Sequence, residues 1–79
     1  MEDPYNALLE KLKEARSAAE MTQEQLAEGM DVRQSTISDI LAGKKRMGRK
    51  TLGAVLRVFP HLRPFVLAVL TAKPRRDAA

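Results

Sequence analysis

Thr22 and Gln25 stand three residues apart at the head of a run of helix-forming residues, and this T-x-x-Q spacing is the strongest local constraint in the chain. In such a capping box the threonine hydroxyl accepts from the backbone amide three residues on, and the glutamine side chain accepts from the threonine amide. A helix therefore starts after Thr22. Leu26, Ala27 and Met30 supply its inner face. Ile37, Ile40 and Leu41 recur at helical spacing on a second element, which stops before Gly43, a residue suited to a left-handed C-cap. Each element has room for about two turns, too few to stand alone. Both must pack on the rest of the chain, leaving Arg33, Gln34, Ser35, Ser38 and Asp39 on the side away from the core.

The flanking sequence is helical too. Asp3 and Pro4 form an N-cap and first-turn pair, after which Tyr5, Leu8, Leu9, Leu12, Ala15 and Ala19 make a stripe at 3.6-residue spacing. Glu10, Lys11, Lys13, Glu14 and Arg16 fall in water. Beyond Gly48, residues Leu52, Val55, Leu56 and Phe59 predict a fourth helix over about 49 to 59, weakened inside by Gly53 and ended by Pro60. A fifth helix follows over about 62 to 71, with Pro64 tolerated because it falls in the first turn. The expected architecture is all-α with five helices: one domain over residues 1–72 and a basic tail over 73–79 expected to be disordered. Met21, Met30 and Met47 are expected to fill gaps in the core or turns, and Tyr5 and His61 to be structural.

A chain of 79 residues buries only a small core, and small cores usually need disulfides, metal or oligomerisation. Cysteine is absent, so there is no disulfide and no thiolate for zinc, and no cofactor is expected. Oligomerisation remains. The predicted fifth helix carries Leu62, Phe65, Val66, Val69 and Leu70 in one stripe, with Leu67 and Ala68 continuing around its side. An apolar arc wider than about 100° on a terminal helix suggests a second burial partner. Packing into the small core would be the alternative. The expectation is a homodimer with Phe65, Leu67 and Leu70 in the contact.

The net charge of +4 is unevenly distributed. Residues 1–32 hold three basic and eight acidic groups, residues 33–50 six basic and one acidic, and residues 51–79 five basic and one acidic. A cationic block that begins with the second short helix and runs through GKKRMGRK is the footprint expected for a polyanion partner. No leader-like segment is visible and the longest apolar run, residues 65–70, is too short to span a bilayer, so a cytoplasmic protein with no membrane partner is expected.

With these features the chain resembles the phage repressor and Cro family of helix-turn-helix regulators. The family pattern T/S-Q-x-x-L-A-x-x-x-G-V-S-x-x-x-I-S-x-x-E-x-G-K is met in register by Thr22, Gln23, Leu26, Ala27, Val32, Ile37, Ser38, Gly43 and Lys44. Two departures matter: the turn glycine is Asp31, and the capping Ser or Thr before the second helix is Arg33. Asp31 either adopts the left-handed conformation in place of glycine or itself caps a helix that begins early, in a D-x-x-Q box with Gln34. The choice changes which amides are free to bind phosphate.

The resemblance implies a compact lambda-repressor-like domain that binds double-stranded DNA through the second helix of the motif, about residues 33–41, in the major groove. It implies base contacts from Gln34 and Ser35, since glutamine can bond adenine N6 and N7 together. Arg33 would reach guanine or the backbone. Asp39 would accept from cytosine N4, pair with Arg33 or Lys45, or remain exposed. Gln23, Thr36, Ser38, Lys44, Lys45, Arg46 and Arg49 are the implied phosphate contacts, with Lys50 less certain. Dimers in this family place two reading helices one turn of B-DNA apart, so the operator would be an inverted repeat and the protein a repressor. Two other classes share the fold: an antitoxin that lends a surface to a small protein partner, and a helical interaction module without DNA activity. An enzyme is not expected, because the chain shows no activated nucleophile, acid–base dyad, metal cluster or phosphate loop.

Overall fold

The computed structural model describes residues 3–72, so the basic tail expected over 73–79 lies outside the described residues. As expected, the fold is all-helical: α1 is Pro4–Ala18, α2 Gln23–Met30, α3 Gln34–Leu41, α4 Arg49–Val58 and α5 Arg63–Thr71, with a 3-10 turn at Pro60–Leu62. Asp3 caps α1 by accepting from the Asn6 amide at 3.3 Å, and Pro4 fills the first turn, where its missing N–H costs nothing. The capping box of α2 is complete: Gln25 N donates to Thr22 Oγ1 at 3.0 Å and Thr22 N to Gln25 Oε1 at 2.9 Å.

The first three helices end in one and the same way. Glu20, Asp31 and Gly43 have φ of 56°, 59° and 83°. At each, a paired backbone motif closes the helix: Glu20 N to Ser17 O and Met21 N to Arg16 O, Asp31 N to Glu28 O and Val32 N to Ala27 O, Gly43 N to Ile40 O and Lys44 N to Asp39 O. These are Schellman closures, which satisfy carbonyls that the helix end would otherwise orphan. Asp31 thus terminates α2 and does not cap α3; Arg33 occupies that N-cap and makes no side-chain bond. Glu20 is a left-handed residue that the sequence reading does not anticipate. Because α1 stops at Ala18 and the chain turns there, Ala19 is exposed instead of completing the apolar stripe.

Every helix contributes to one core. Leu8 and Leu12 of α1, Leu26 and Met30 of α2, Ile37 and Ile40 of α3, Val55 of α4 and Val66 of α5 are fully buried. In this arrangement α2 packs on α3 and α4, while α1 packs on α5 and the 3-10 turn. Val58 lies over Gly29, where an added Cβ would sit 3.1 Å from Val58 Cγ2, so the bare glycine lets α2 and α4 approach. Met30 and Met47 are buried and Met21 packs against the core, as gap-filling residues should. His61 is exposed in the turn beside Pro60, edge-on to Phe59 at 5.9 Å between ring centroids.

On α5 the expected single stripe divides. Val66, with Leu62 just before the helix, is buried, and Phe65 and Val69 pack half-buried against the core. Phe65 also lies under the Lys11 ammonium, 5.6 Å from the ring centroid. Leu70 does not join them. It is 43 % exposed, and Leu67 42 %, three residues apart on the outer side of the helix.

A left-handed conformation costs an L-residue about 1–2 kcal/mol, part of which glycine returns as lost chain entropy. Glu20→Gly should therefore stabilise the domain by about 0.5–1 kcal/mol, and Gly43→Ala should destabilise it by a similar amount. Thermal unfolding followed by circular dichroism measures both signs; equal melting temperatures for Glu20→Gly and the parent chain would rule out strain at this turn.

Candidate nucleic-acid interface

α3 is built as a two-sided helix. Its buried side is Ile37 and Ile40, with Leu41 half-buried beside them; Gln34, Ser35, Ser38 and Asp39 are exposed and Thr36 is half-buried. The exposed set spans both ends of the helix and carries only amide, hydroxyl and carboxylate groups. Since the first backbone bond of α3 runs from Ile37 N to Arg33 O, and Arg33 provides no cap, the amides of Gln34, Ser35 and Thr36 have no helical partner. Three open N–H groups at the positive end of a helix dipole favour anions there. Arg33 itself is exposed at this end.

α2 presents a second such end. Its first helical bond is Leu26 N to Thr22 O, and the Gln25 amide is taken by Thr22 Oγ1, so the amides of Gln23 and Glu24 are those left over. Gln23 is half-buried at this first turn.

Between α3 and α4 the chain crosses residues 42–48, and Lys44, Lys45, Arg46, Arg49 and Lys50 are all exposed on it or on the first turn of α4. The one apolar member, Met47, turns inward and is buried. Its amide donates to the Tyr5 hydroxyl of α1 at 3.0 Å, and the Arg46 guanidinium sits over the Tyr5 ring with its carbon 4.0 Å from the centroid. Tyr5 was expected to be structural, and it does pack α1; that it also holds the cationic loop was not legible across 42 residues of separation.

Among the described residues the one side-chain ion pair is Lys11 to Glu14 at 3.5 Å, on the surface of α1. Asp39 forms no ion pair with Arg33 or Lys45 in the free protein. Arg57, which the sequence reading passed over, reaches from α4 to donate to Met30 O at 3.5 Å, beside the turn between α2 and α3. Seven residues before it, Lys50 lines the same shallow cavity with Asp31, Val32, Thr51 and Ala54, and the spacing of the two cations on one face of α4 was the available signal. No group of three or more His, Asp or Glu among the described residues is arranged to hold a metal, and no helix there is long and apolar enough to cross a membrane.

A helix-turn-helix family profile matches residues 12–64, from the middle of α1 to the start of α5. No curated protein and no solved structure matches the chain significantly. The matched span holds the capped α2, the Asp31 turn, the two-sided α3 and the cationic loop. Since it covers more than half of the 79 residues, the chain belongs to the Cro/C1-type helix-turn-helix family of DNA-binding regulators, and its five helices form a lambda-repressor-like domain.

Proposed function

We propose that this protein is a sequence-specific transcriptional repressor that inserts α3 into the major groove of double-stranded DNA as a homodimer on an inverted-repeat operator. The observation that carries the reading is the split of α3, apolar residues inward and Gln34, Ser35 and Asp39 outward, directly followed by five exposed cations on the next loop and the first turn of α4. Such a juxtaposition separates two tasks: groups that recognise base edges lie on the helix, and charges that grip the backbone flank it.

In this reading Gln34 reads adenine through its amide, with Ser35 as a permissive donor and acceptor beside it. Arg33, at the uncapped start of α3, reaches guanine or the adjoining phosphate. Asp39, which has no cation partner among the described residues, accepts from cytosine N4. Gln23, Thr36, Ser38, Lys44, Lys45, Arg46 and Arg49 meet phosphates. The homodimer would use the outer side of α5, where Leu67 and Leu70 are exposed, with the outer edge of Phe65 at the rim. Two α3 helices would then lie roughly 34 Å apart.

Base reading and backbone gripping respond differently to substitution. Gln34→Ala should cost about 1–3 kcal/mol on the best operator, relax preference at one base pair per half-site and leave binding to random duplex nearly unchanged. Lys44→Ala should weaken binding to every sequence and lower the slope of log K against log salt by about one unit per protomer. Selection of bound sites from random DNA, followed by salt titration of each variant on the selected and random duplexes, measures both. Equal losses for Gln34→Ala on the two duplexes would reduce Gln34 to a backbone contact, and an unchanged slope for Lys44→Ala would make residues 44–50 a solvated loop.

Leu67→Glu tests the assembly, because Leu67 is exposed and its replacement opens no cavity in the monomer. Helical circular dichroism should be retained, sedimentation should shift toward monomer, and affinity should fall much more for an inverted repeat than for a single half-site. A variant that stays dimeric and binds the inverted repeat normally would move the interface off this side of α5.

A further inference from the structure

The loop proposed to grip phosphate has little to hold it in shape. Residues 43–48 belong to no helix, they and the next two residues carry five exposed cations, and like charges at that density repel one another. Besides the helix closure at Gly43 and Lys44 and the buried Met47 side chain, two contacts oppose that repulsion, and both end on Tyr5. The ring is 5 % exposed in the first turn of α1; its hydroxyl accepts from the buried Met47 amide at 3.0 Å, and its face carries the Arg46 guanidinium at 4.0 Å. The hydroxyl adds nothing to the packing of α1, for which a phenyl ring would serve equally. Its hydrogen-bond partner is the loop.

We infer that Tyr5 is a positioning residue for DNA binding: through the Met47 amide and the Arg46 guanidinium it holds the cationic loop in the conformation that meets the phosphate backbone. The inference rests on the reading of residues 44–50 as phosphate contacts. Arginine suits the position because a guanidinium resting on an aromatic ring retains in-plane N–H donors for a phosphate, whereas an ammonium has no planar fork to present. A loop ordered before binding loses less conformational freedom when it meets DNA, so the clamp raises affinity while adding no contact of its own. Removing the hydroxyl strands a buried donor, and the loop relieves this by moving the Met47 amide toward water.

The test compares the full-length chain with Tyr5→Phe, Tyr5→Leu, Arg46→Ala and the Tyr5→Leu/Arg46→Ala double variant, well below their melting temperatures. The probe is a short mixed-sequence DNA duplex, titrated by fluorescence anisotropy at several salt concentrations, with amide exchange at Met47 read by NMR. Tyr5→Phe should exchange faster at Met47 and bind about three- to tenfold more weakly, as expected for a lost hydrogen bond whose cost falls partly on binding. Its salt slope should be unchanged, since no cation is removed; Arg46→Ala should lower the slope by about one unit. In the double variant the loss from Tyr5→Leu should shrink, because Arg46 no longer depends on the ring. Wild-type affinity in Tyr5→Phe despite faster Met47 exchange would overturn the inference and leave Tyr5 a core residue. If Tyr5→Leu unfolds, Tyr5→Phe alone decides. Failure of the parent chain to bind the duplex even at low salt would instead overturn the DNA-binding reading of the loop, an outcome recognisable because no variant is then needed to see it.

Discussion

α3 is held to the protein through Ile37 and Ile40, the two fully buried side chains among its eight residues. A helix of that length has no stability of its own in water. Its existence and its tilt are therefore properties of the surface that receives those two isoleucines, and everything presented on the other side inherits that tilt. The receiving surface is built by α2 and the common core to which Leu26, Met30 and Val55 belong. The rest of the domain can be understood as the smallest scaffold that fixes a short two-sided helix with one side in solvent. Because the apolar side alone is used for holding, the outer residues carry no structural duty, which leaves their chemistry open to selection for a partner.

How the helices end matters as much as how they pack. Three successive Schellman closures, at Glu20, Asp31 and Gly43, reverse the chain within one or two residues. Tight reversal is what lets two-turn helices reach a shared core, since a longer connection would add entropy cost without adding burial. One of the three closures uses glycine. At Glu20 the backbone is held left-handed against the preference of the side chain, which means the surrounding packing outweighs a penalty of about 1–2 kcal/mol, whereas the short polar side chain of Asp31 tolerates that conformation better. Asp31 has a further consequence. By ending α2 it leaves α3 uncapped, and the amides of Gln34, Ser35 and Thr36 remain open at the end where an anion is best received.

The charge arrangement follows the same division. The acidic groups belong mainly to α1 and α2, and the cations gather from Arg33 through Lys50. A separated distribution of this kind orients the molecule in the field of a polyanion before contact, so encounters begin near the productive pose. Concentrating cations on an irregular loop carries a cost in self-repulsion. Met47 buried in the core and Arg46 over Tyr5 bear that cost locally, and they connect the N-terminal turn of α1 to the loop that follows α3.

Much of this was present in the amino-acid sequence, and for local reasons. The box at Thr22 and Gln25, the cap at Asp3, the left-handed Gly43 and the stop at Pro60 each depend on residues within four positions of one another, so spacing alone specifies them. The inward positions of α3 followed from 3.6-residue periodicity in the same way, and with them the residues turned outward. Tertiary structure decided the matters that depend on what lies opposite. Asp31 was compatible with ending α2 or beginning α3, and the packing of the two helices chose the first. Glu20 bears no mark of a turn residue; it is left-handed because α1 must stop where the core stops. Leu70 shared the spacing of a core stripe yet remains exposed, since the apolar arc of α5 is wider than the surface that α1 and α4 offer it. The Tyr5 hydroxyl meets the Met47 amide 42 residues away, a contact that no periodicity encodes, because only the closed fold brings the two ends of that separation together.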